Sequence, residues 1–296
     1  KTFLITGSNG LIGNYFVTLL DTLNRERQLN VMAHCTSKHE PIWTNSTFEF
    51  ETKDLTFDKI QIPSPYIVDY IIHCACFARP RLFTKNEFET IALNIGTTQR
   101  LLELLNIQQS GRLLFLSSTE IYGHPDIVPT PETCTTTFPT SSIRSAYVES
   151  KRMGETLCHI YQRKFGVESR IARLALIYGP GISINDERVM GDFLRQGFID
   201  KHIKLLDDGH RQRTYCYITD AIEMMLNILL VGEETTYNVA GVATISVSYL
   251  AKFIAEKAGT NYELGEGSGI ADAPEVVKPD ITKAQKEFNK YQFTPL

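Results

Sequence analysis

One segment, Thr6-Gly7-Ser8-Asn9-Gly10-Leu11-Ile12-Gly13, limits this chain more than any other. It follows a short apolar run, Thr2-Phe3-Leu4-Ile5-Thr6, and opens an amphipathic stretch, 11–24, with Leu11, Ile12, Phe16, Leu19, Leu20 and Leu23 on one side. Strand, glycine loop and helix in that order begin a βαβ unit. Gly7 permits a tight turn, Gly10 lets the backbone approach a pyrophosphate, and Gly13 lets the helix lie close to the strand. The helix N-terminus adds free N–H groups and a positive dipole end. Dinucleotide binding is therefore expected, with Gly7, Asn9, Gly10, Leu11, Ile12 and Gly13 holding the cofactor.

The pattern continues through the first half. Residues 30–34, Phe48–Phe50, Tyr70–Ala75, Arg112–Ser117 and Val167–Ala172 read as strands, and 86–106 and 146–165 as helices. Such alternation predicts an α/β fold, a Rossmann-type doubly wound parallel sheet with ligands at the carboxyl edge. The later chain is less regular. Helices are expected at 187–200, 219–231, 246–258 and 282–288, and Gly265, Gly267, Gly269, Pro274 and Pro279 mark loop. The expected division is a cofactor-binding domain over 1–175 and a smaller, dependent substrate-binding part over 176–296.

Two further segments carry chemistry. Tyr147-Val148-Glu149-Ser150-Lys151 sets a phenol and an ammonium four residues apart on a helix, hence on one face. A lysine beside the phenolate predicts a tyrosine pKa lowered from about 10 toward neutrality, suited to a general base. Leu116-Ser117-Ser118-Thr119-Glu120 follows a strand, so Ser118 and Thr119 offer hydroxyls, and Glu120 a carboxylate, at the ligand edge. Ser118, Thr119, Glu120, Tyr147 and Lys151 are the expected catalytic group.

These landmarks, with Tyr178-Gly179-Pro180, resemble the extended short-chain dehydrogenase/reductase family over residues 2–290. Within that family the chain is most similar to UDP-glucuronate decarboxylases, through His73–Pro80, Arg144–Cys158, Arg170–Arg173, Asn185–Phe193 and Gly209–Asp220. The resemblance implies that Asp54 and Leu55 contact adenine and that Ala75, Tyr147 and Lys151 join the cofactor site. It also implies that Asn94, Arg188 and Arg213 bind substrate, that Ser118 bonds the sugar 4-oxygen, and that two copies pair through the 86–106 and 146–165 helices. Three departures stand out. Leu176 occupies a position where the family usually has asparagine. No acid lies between Val31 and Glu40 to hold the ribose of NAD, and only Lys38 could grip a 2′-phosphate. Thr119 stands where 4,6-dehydratases carry aspartate.

The implied reaction is oxidation of a nucleotide sugar at C4 with bound NAD, NADP remaining open. The 4-keto sugar can then lose CO2, be re-reduced with inversion, lose water, or be reduced outright. A non-catalytic dinucleotide sensor is the alternative from another class. Net charge is −4, so neither nucleic acid nor an anionic membrane is an expected partner. The six scattered cysteines form no CxxC pair, so no metal site is expected and a reducing cytoplasm is. No signal or transit segment is expected before the first strand.

Overall fold

The strands of the first half are β1 (Thr2–Thr6), β2 (Met32–Ser37), β3 (Glu49–Thr52), β4 (Tyr70–His73), β5 (Arg112–Ser118) and β6 (Glu168–Leu174). They lie in one parallel sheet in the order β6-β5-β4-β1-β2-β3, with Thr236–Val239 added beside β6. The order runs outward in both directions from the β1–β4 boundary, which leaves a crevice there at the carboxyl ends. The computed structural model describes residues 1–26, 31–39, 48–58, 67–267 and 273–296. Asn30, Glu40 and Gly269, which entered the expectations above, lie outside the described residues.

Burial on both faces explains why these strands read as apolar runs. Phe3 and Ile5 pack with Phe16, Leu20, Leu114 and Met225 on one face. Leu4 points the other way, to Ile71, Leu101, Leu105 and Phe115, as the two-residue strand period requires. The helix Ser145–Phe165 covers this second face. It approaches β5 closely because Gly154 has no side chain: a Cβ there would stand 2.3 Å from the Phe115 ring. Its next residue, Glu155, accepts hydrogen bonds from Arg173 Nε (3.0 Å) and Nη2 (2.7 Å) of β6 and from Ser117 Oγ (2.5 Å) of β5.

The long helix expected over 86–106 runs from Glu87 to Gln108, with one wider turn inside it. Asn86 leaves helical geometry at φ −122°, ψ 58°, and separates Pro80–Lys85 from Glu87–Ile91. A wider π-helical turn, Ala92–Thr97, then precedes Thr98–Gln108. The helix expected over 187–200 is likewise α-helical only for Val189–Arg195. Beyond residue 175 the chain builds a small sheet around Gln212–Tyr217, which pairs with Leu176–Tyr178, Thr244–Ser246 and Val276–Val277. Two later elements return to the first layer. Ile218–Val231 packs through Ala221, Ile222 and Met225 against Phe16 and Leu20, and Thr236–Val239 pairs with β6. Residue 175 thus divides the chain but not the sheet. Among the described residues no helix is long and apolar enough to cross a membrane.

Gly154→Ala tests the helix–strand contact. Alanine favours helix by about 1 kcal/mol, but overpacking costs about 1–3 kcal/mol, and Phe115 is fully buried and cannot yield. We expect Tm to fall by several degrees in a thermal melt. An unchanged or higher Tm would contradict so tight a contact.

Candidate active site

The glycine loop adopts the turn its sequence requires. Gly7 has φ +66°, and a Cβ on it would meet the Ala75 backbone at 2.7 Å. Gly13 lies so close beneath that a Cβ would stand 2.3 Å from the Gly7 carbonyl oxygen. Gly10 caps the first helix, Leu11–Arg25, which has no acid in its first turn and no side-chain cap among the described residues. Backbone N–H groups at Leu11 and Ile12 are therefore available to an anion. Leu11 also reaches toward Gly181, and Tyr15 Oη donates to Pro180 O at 3.1 Å, which joins this helix to the Tyr178–Gly181 loop. Ser8 is buried, with its Oγ donating to Thr36 O at 3.2 Å, and Asn9 Nδ2 donates to His39 O at 2.7 Å. The cradle fits the pyrophosphate of a dinucleotide.

At the end of β2, Lys38 Nζ lies 2.8 Å from Asp54 Oδ2. Burial pushes the Asp54 carboxyl up, but hydrogen bonds from Lys38 and Thr56 outweigh it and hold the pKa below the usual carboxylate value. An acid from beyond β3 thus neutralises Lys38. Leu55 is buried, and its carbonyl accepts from Thr97 Oγ1 (2.7 Å) and Arg100 Nη2 (2.5 Å).

Tyr147 comes to the carboxyl end of β5 on the Ser145–Phe165 helix. Its ring stacks on Phe83 at 4.5 Å with planes 15° apart, and its phenol lies near enough to the Ser118 hydroxyl to feel it. The expected fall in its pKa is not found. Burial raises it well above 10, the nearby Cys76 and Glu120 add to this, and Ser118 and Arg188 only partly oppose it. Lys151 shares the helix face, but its Nζ donates to Leu116 O at 2.7 Å and sits 5.9 Å from the centre of the Tyr147 ring. Helical spacing brings the two side chains to one face without joining ammonium to phenol.

The remaining expected residues divide. Ser118 accepts from Glu120 N at 3.2 Å and faces Tyr147. Glu120 pairs with Arg144, a buried guanidinium that also lies 5.5 Å from the Phe83 ring centre. Arg213 senses the Glu120 charge, while burial pulls its pKa below the usual value. Arg188 is clamped by Asp186, with Nε–Oδ1 at 3.0 Å and Nη2–Oδ2 at 2.6 Å. Ser118, Glu120, Tyr147, Arg188 and Arg213 are thus brought together. Thr119 turns away, its Oγ1 donating to Leu174 O at 3.2 Å. Asn94 is fully buried in the π-helical turn and reaches the site only indirectly: its Nδ2 donates to Ser150 Oγ at 2.9 Å, which donates to Tyr147 O at 3.0 Å.

Sequence reasoning missed Arg144, Asp186, Phe83 and Tyr215. Arg144 precedes Tyr147 by one helical turn, a spacing that could have found it. Asp186 and Tyr215 reach the site through loop and cross-strand geometry, which spacing along the chain does not encode.

Residues 3–240 match the NAD dependent epimerase/dehydratase family. UDP-glucuronic acid decarboxylase 3 of Arabidopsis thaliana is 31% identical over 288 residues, 96% of this chain and 82% of that one. UDP-glucuronic acid decarboxylase 1 of Xenopus tropicalis is 29% identical over 297 residues, 96% of this chain and 67% of that one. Among solved structures, the UDP-glucuronic acid 4-epimerase of Bacillus cereus, in complex with UDP-glucuronic acid and NAD, aligns with a TM-score of 0.80 at 20% identity over 100% of this chain and 94% of the other. The dTDP-glucose 4,6-dehydratase of Streptomyces venezuelae gives 0.83 at 20% identity over 100% and 93%. At these identities the structures establish the likeness of fold.

Beneath the glycine loop, Thr6 Oγ1 and His73 Nδ1 lie 2.7 Å apart and bridge β1 to β4. Burial, aided by Lys151 and Arg100, drops the His73 pKa from 6.5 to about 3. The native protein therefore lacks a proton that the unfolded chain binds between those values. This contribution to stability is whole above about pH 6.5 and fades as pH falls, by about 1.4 kcal/mol per pH unit. Urea unfolding at about pH 7 and about pH 5 should give His73→Gln a shallower pH slope than the parent by that amount. Equal slopes would mean that His73 is protonated in the fold.

Proposed function

The chain belongs to the NAD-dependent epimerase/dehydratase family, and from that premise we propose that it decarboxylates a UDP-glucuronate-like nucleotide sugar to CO2 and a UDP-pentose. The observation that carries this reading is the grouping of the Tyr147–Ser118 hydroxyl pair with the Glu120–Arg144 ion pair and Arg213. Tyr147 and Ser118 suit a sugar 4-hydroxyl. A guanidinium suits the carboxylate or the diphosphate of the substrate. The dehydratase route is disfavoured because Thr119, which is no acid, spends its hydroxyl on Leu174 O. The decarboxylase names of the relatives above support the same choice.

NAD, held by the cradle of Gly7, Gly10 and Gly13, would supply a reversible two-electron acceptor for the C4 hydrogen. Burial keeps the Tyr147 phenol protonated in the absence of cofactor; beside the positive charge of bound NAD the phenolate would be favoured, and it would then accept the proton of the 4-hydroxyl, with Ser118 orienting the oxygen. Lys151 adds positive charge on the same helix face, where it can hold the cofactor ribose. The 4-keto sugar is then a β-keto acid. Its C5–C6 bond breaks, CO2 leaves, and the electron pair passes to the C4 oxygen as an enolate. Arg213 steadies the departing carboxylate or the diphosphate, and Glu120, fixed by Arg144, borders the same space. A proton from water at C5 takes the place of the CO2, Tyr147 would give its proton back to the 4-oxygen, and with the C4 hydrogen restored the reaction is redox-neutral overall. The Lys38–Asp54 pair favours NAD over NADP, because Lys38, the cation at the end of β2, already has its carboxylate.

On this reading residues 1–175 carry the cofactor and 176–296 face the substrate. Homodimer formation through the helices expected to pair is supported by the exposure of Phe88, Ile91 and Met153 along them. The six free cysteines suit a reducing cytoplasm.

The test is incubation with UDP-glucuronate and NAD⁺, with mass spectrometry for CO2 and a UDP-pentose. Tyr147→Phe should lower turnover by about 10²–10⁴-fold while NAD binding persists. Activity within a few-fold of the parent would remove Tyr147 from the role of base. If UDP-glucuronate is untouched while a neutral nucleotide hexose is inverted at C4, an epimerase replaces the decarboxylase.

A further inference from the structure

Tyr215 carries a hydroxyl that the fold does not use. The residue is 4% exposed, and its Oη has no hydrogen-bond partner among the described residues. Leaving a buried polar group unmatched is unfavourable, and folded proteins rarely tolerate it without a reason. The ring is not free to seek a partner. It meets Tyr178 edge-on, with centroids 6.3 Å apart and planes at 83°, and it packs among Leu176, Phe193 and Leu250.

Its position supplies the reason. Tyr215 pairs directly with Leu176 across the Leu176–Tyr178 and Gln212–Tyr217 strands. The two line one cleft with Arg188 and Asp186. Arg213, two residues before Tyr215, projects from the same strand face, and its charge is felt by the phenol. Asp186 is already matched by Arg188. A fixed O–H donor that feels Arg213 and shares its cleft with Arg188, opposite an aliphatic wall, favours an anionic oxygen as acceptor. Burial raises the phenol pKa, so the group remains a donor at ordinary pH.

We propose that Tyr215 is a substrate-binding residue that donates its phenol O–H to a diphosphate oxygen of the nucleotide sugar, in the cleft between Leu176 and Arg188. This rests on the nucleotide-sugar reading above and adds a binding residue to it. Leu176 offers no hydrogen bond at this wall, so the polar contact comes from its cross-strand partner.

Calorimetric titration of UDP into the NAD-supplied protein, parent against Tyr215→Phe, tests the assignment. The variant should bind UDP about 10-fold or more weakly, as expected for losing a hydrogen bond to a charged acceptor. Its Tm should be unchanged or higher, because the hydroxyl has no partner within the protein. Equal UDP affinity within about two-fold would overturn the proposal and leave the nucleotide-sugar reading intact. A Tm lowered by several degrees with UDP affinity unchanged would also overturn it, by revealing a structural role. If neither UDP nor the ADP, GDP, CDP or dTDP counterparts bind the parent, this proposal and the nucleotide-sugar reading fail together.

Discussion

The close contact between the Ser145–Phe165 helix and β5 is the constraint on which the site depends. Gly154 against Phe115 sets how near the helix lies, and Glu155 between Arg173 and Ser117 sets its position along the strands. With those points fixed, Tyr147 arrives at the carboxyl end of β5, where Ser118 waits. Wider spacing would separate the phenol from the hydroxyl that partners it. Asn94 reinforces the same helix through Ser150, so even a fully buried amide serves the placement of the tyrosine.

Charge is distributed against the overall sign of the molecule. The chain is net negative at −4, yet Arg144, Arg188 and Arg213 gather around one cleft. Glu120 and Asp186 each answer one of these guanidiniums, which leaves Arg213 with main-chain acceptors at Gln212 O and Glu275 O. That balance admits an anionic substrate without leaving several buried cations unmatched. On the cofactor side the balance is reversed: Asp54 neutralises Lys38, while the helix N-terminus remains uncapped for a pyrophosphate.

Much of this was legible in the sequence, because the relevant signals are local. A glycine loop between an apolar run and an amphipathic helix is encoded in consecutive residues, and β1, β5 and the Tyr147 helix fall within about one or two residues of expectation, the usual boundary error. The strand Thr236–Val239 was not foreseen because Thr236 and Asn238 keep it from reading as an apolar run, the buried Asn238 amide being matched by Thr130 O and Asp280 O. The short helix Pro80–Lys85 was not foreseen, and it is set apart from the helix expected over 86–106 by Asn86, whose local bonds, Asn86 Nδ2 to Leu82 O and Thr90 Oγ1 to Asn86 O, compete with helix continuation. The Tyr147 pKa was misjudged because spacing on a helix fixes which face a group occupies, while burial against Phe83 decides its electrostatics. Tyr215 and Leu176 lie far apart in the chain and meet only by strand register.

The central claim is that hydrogen leaves and returns to C4 of the sugar within a single bound cycle. The most direct measurement follows the label when UDP-glucuronate carrying deuterium at C4 is turned over with unlabelled NAD⁺. The account predicts a UDP-pentose that keeps its deuterium at C4, with none accumulating in free cofactor. Deuterium appearing in released cofactor, or lost from C4 of the product, would contradict it.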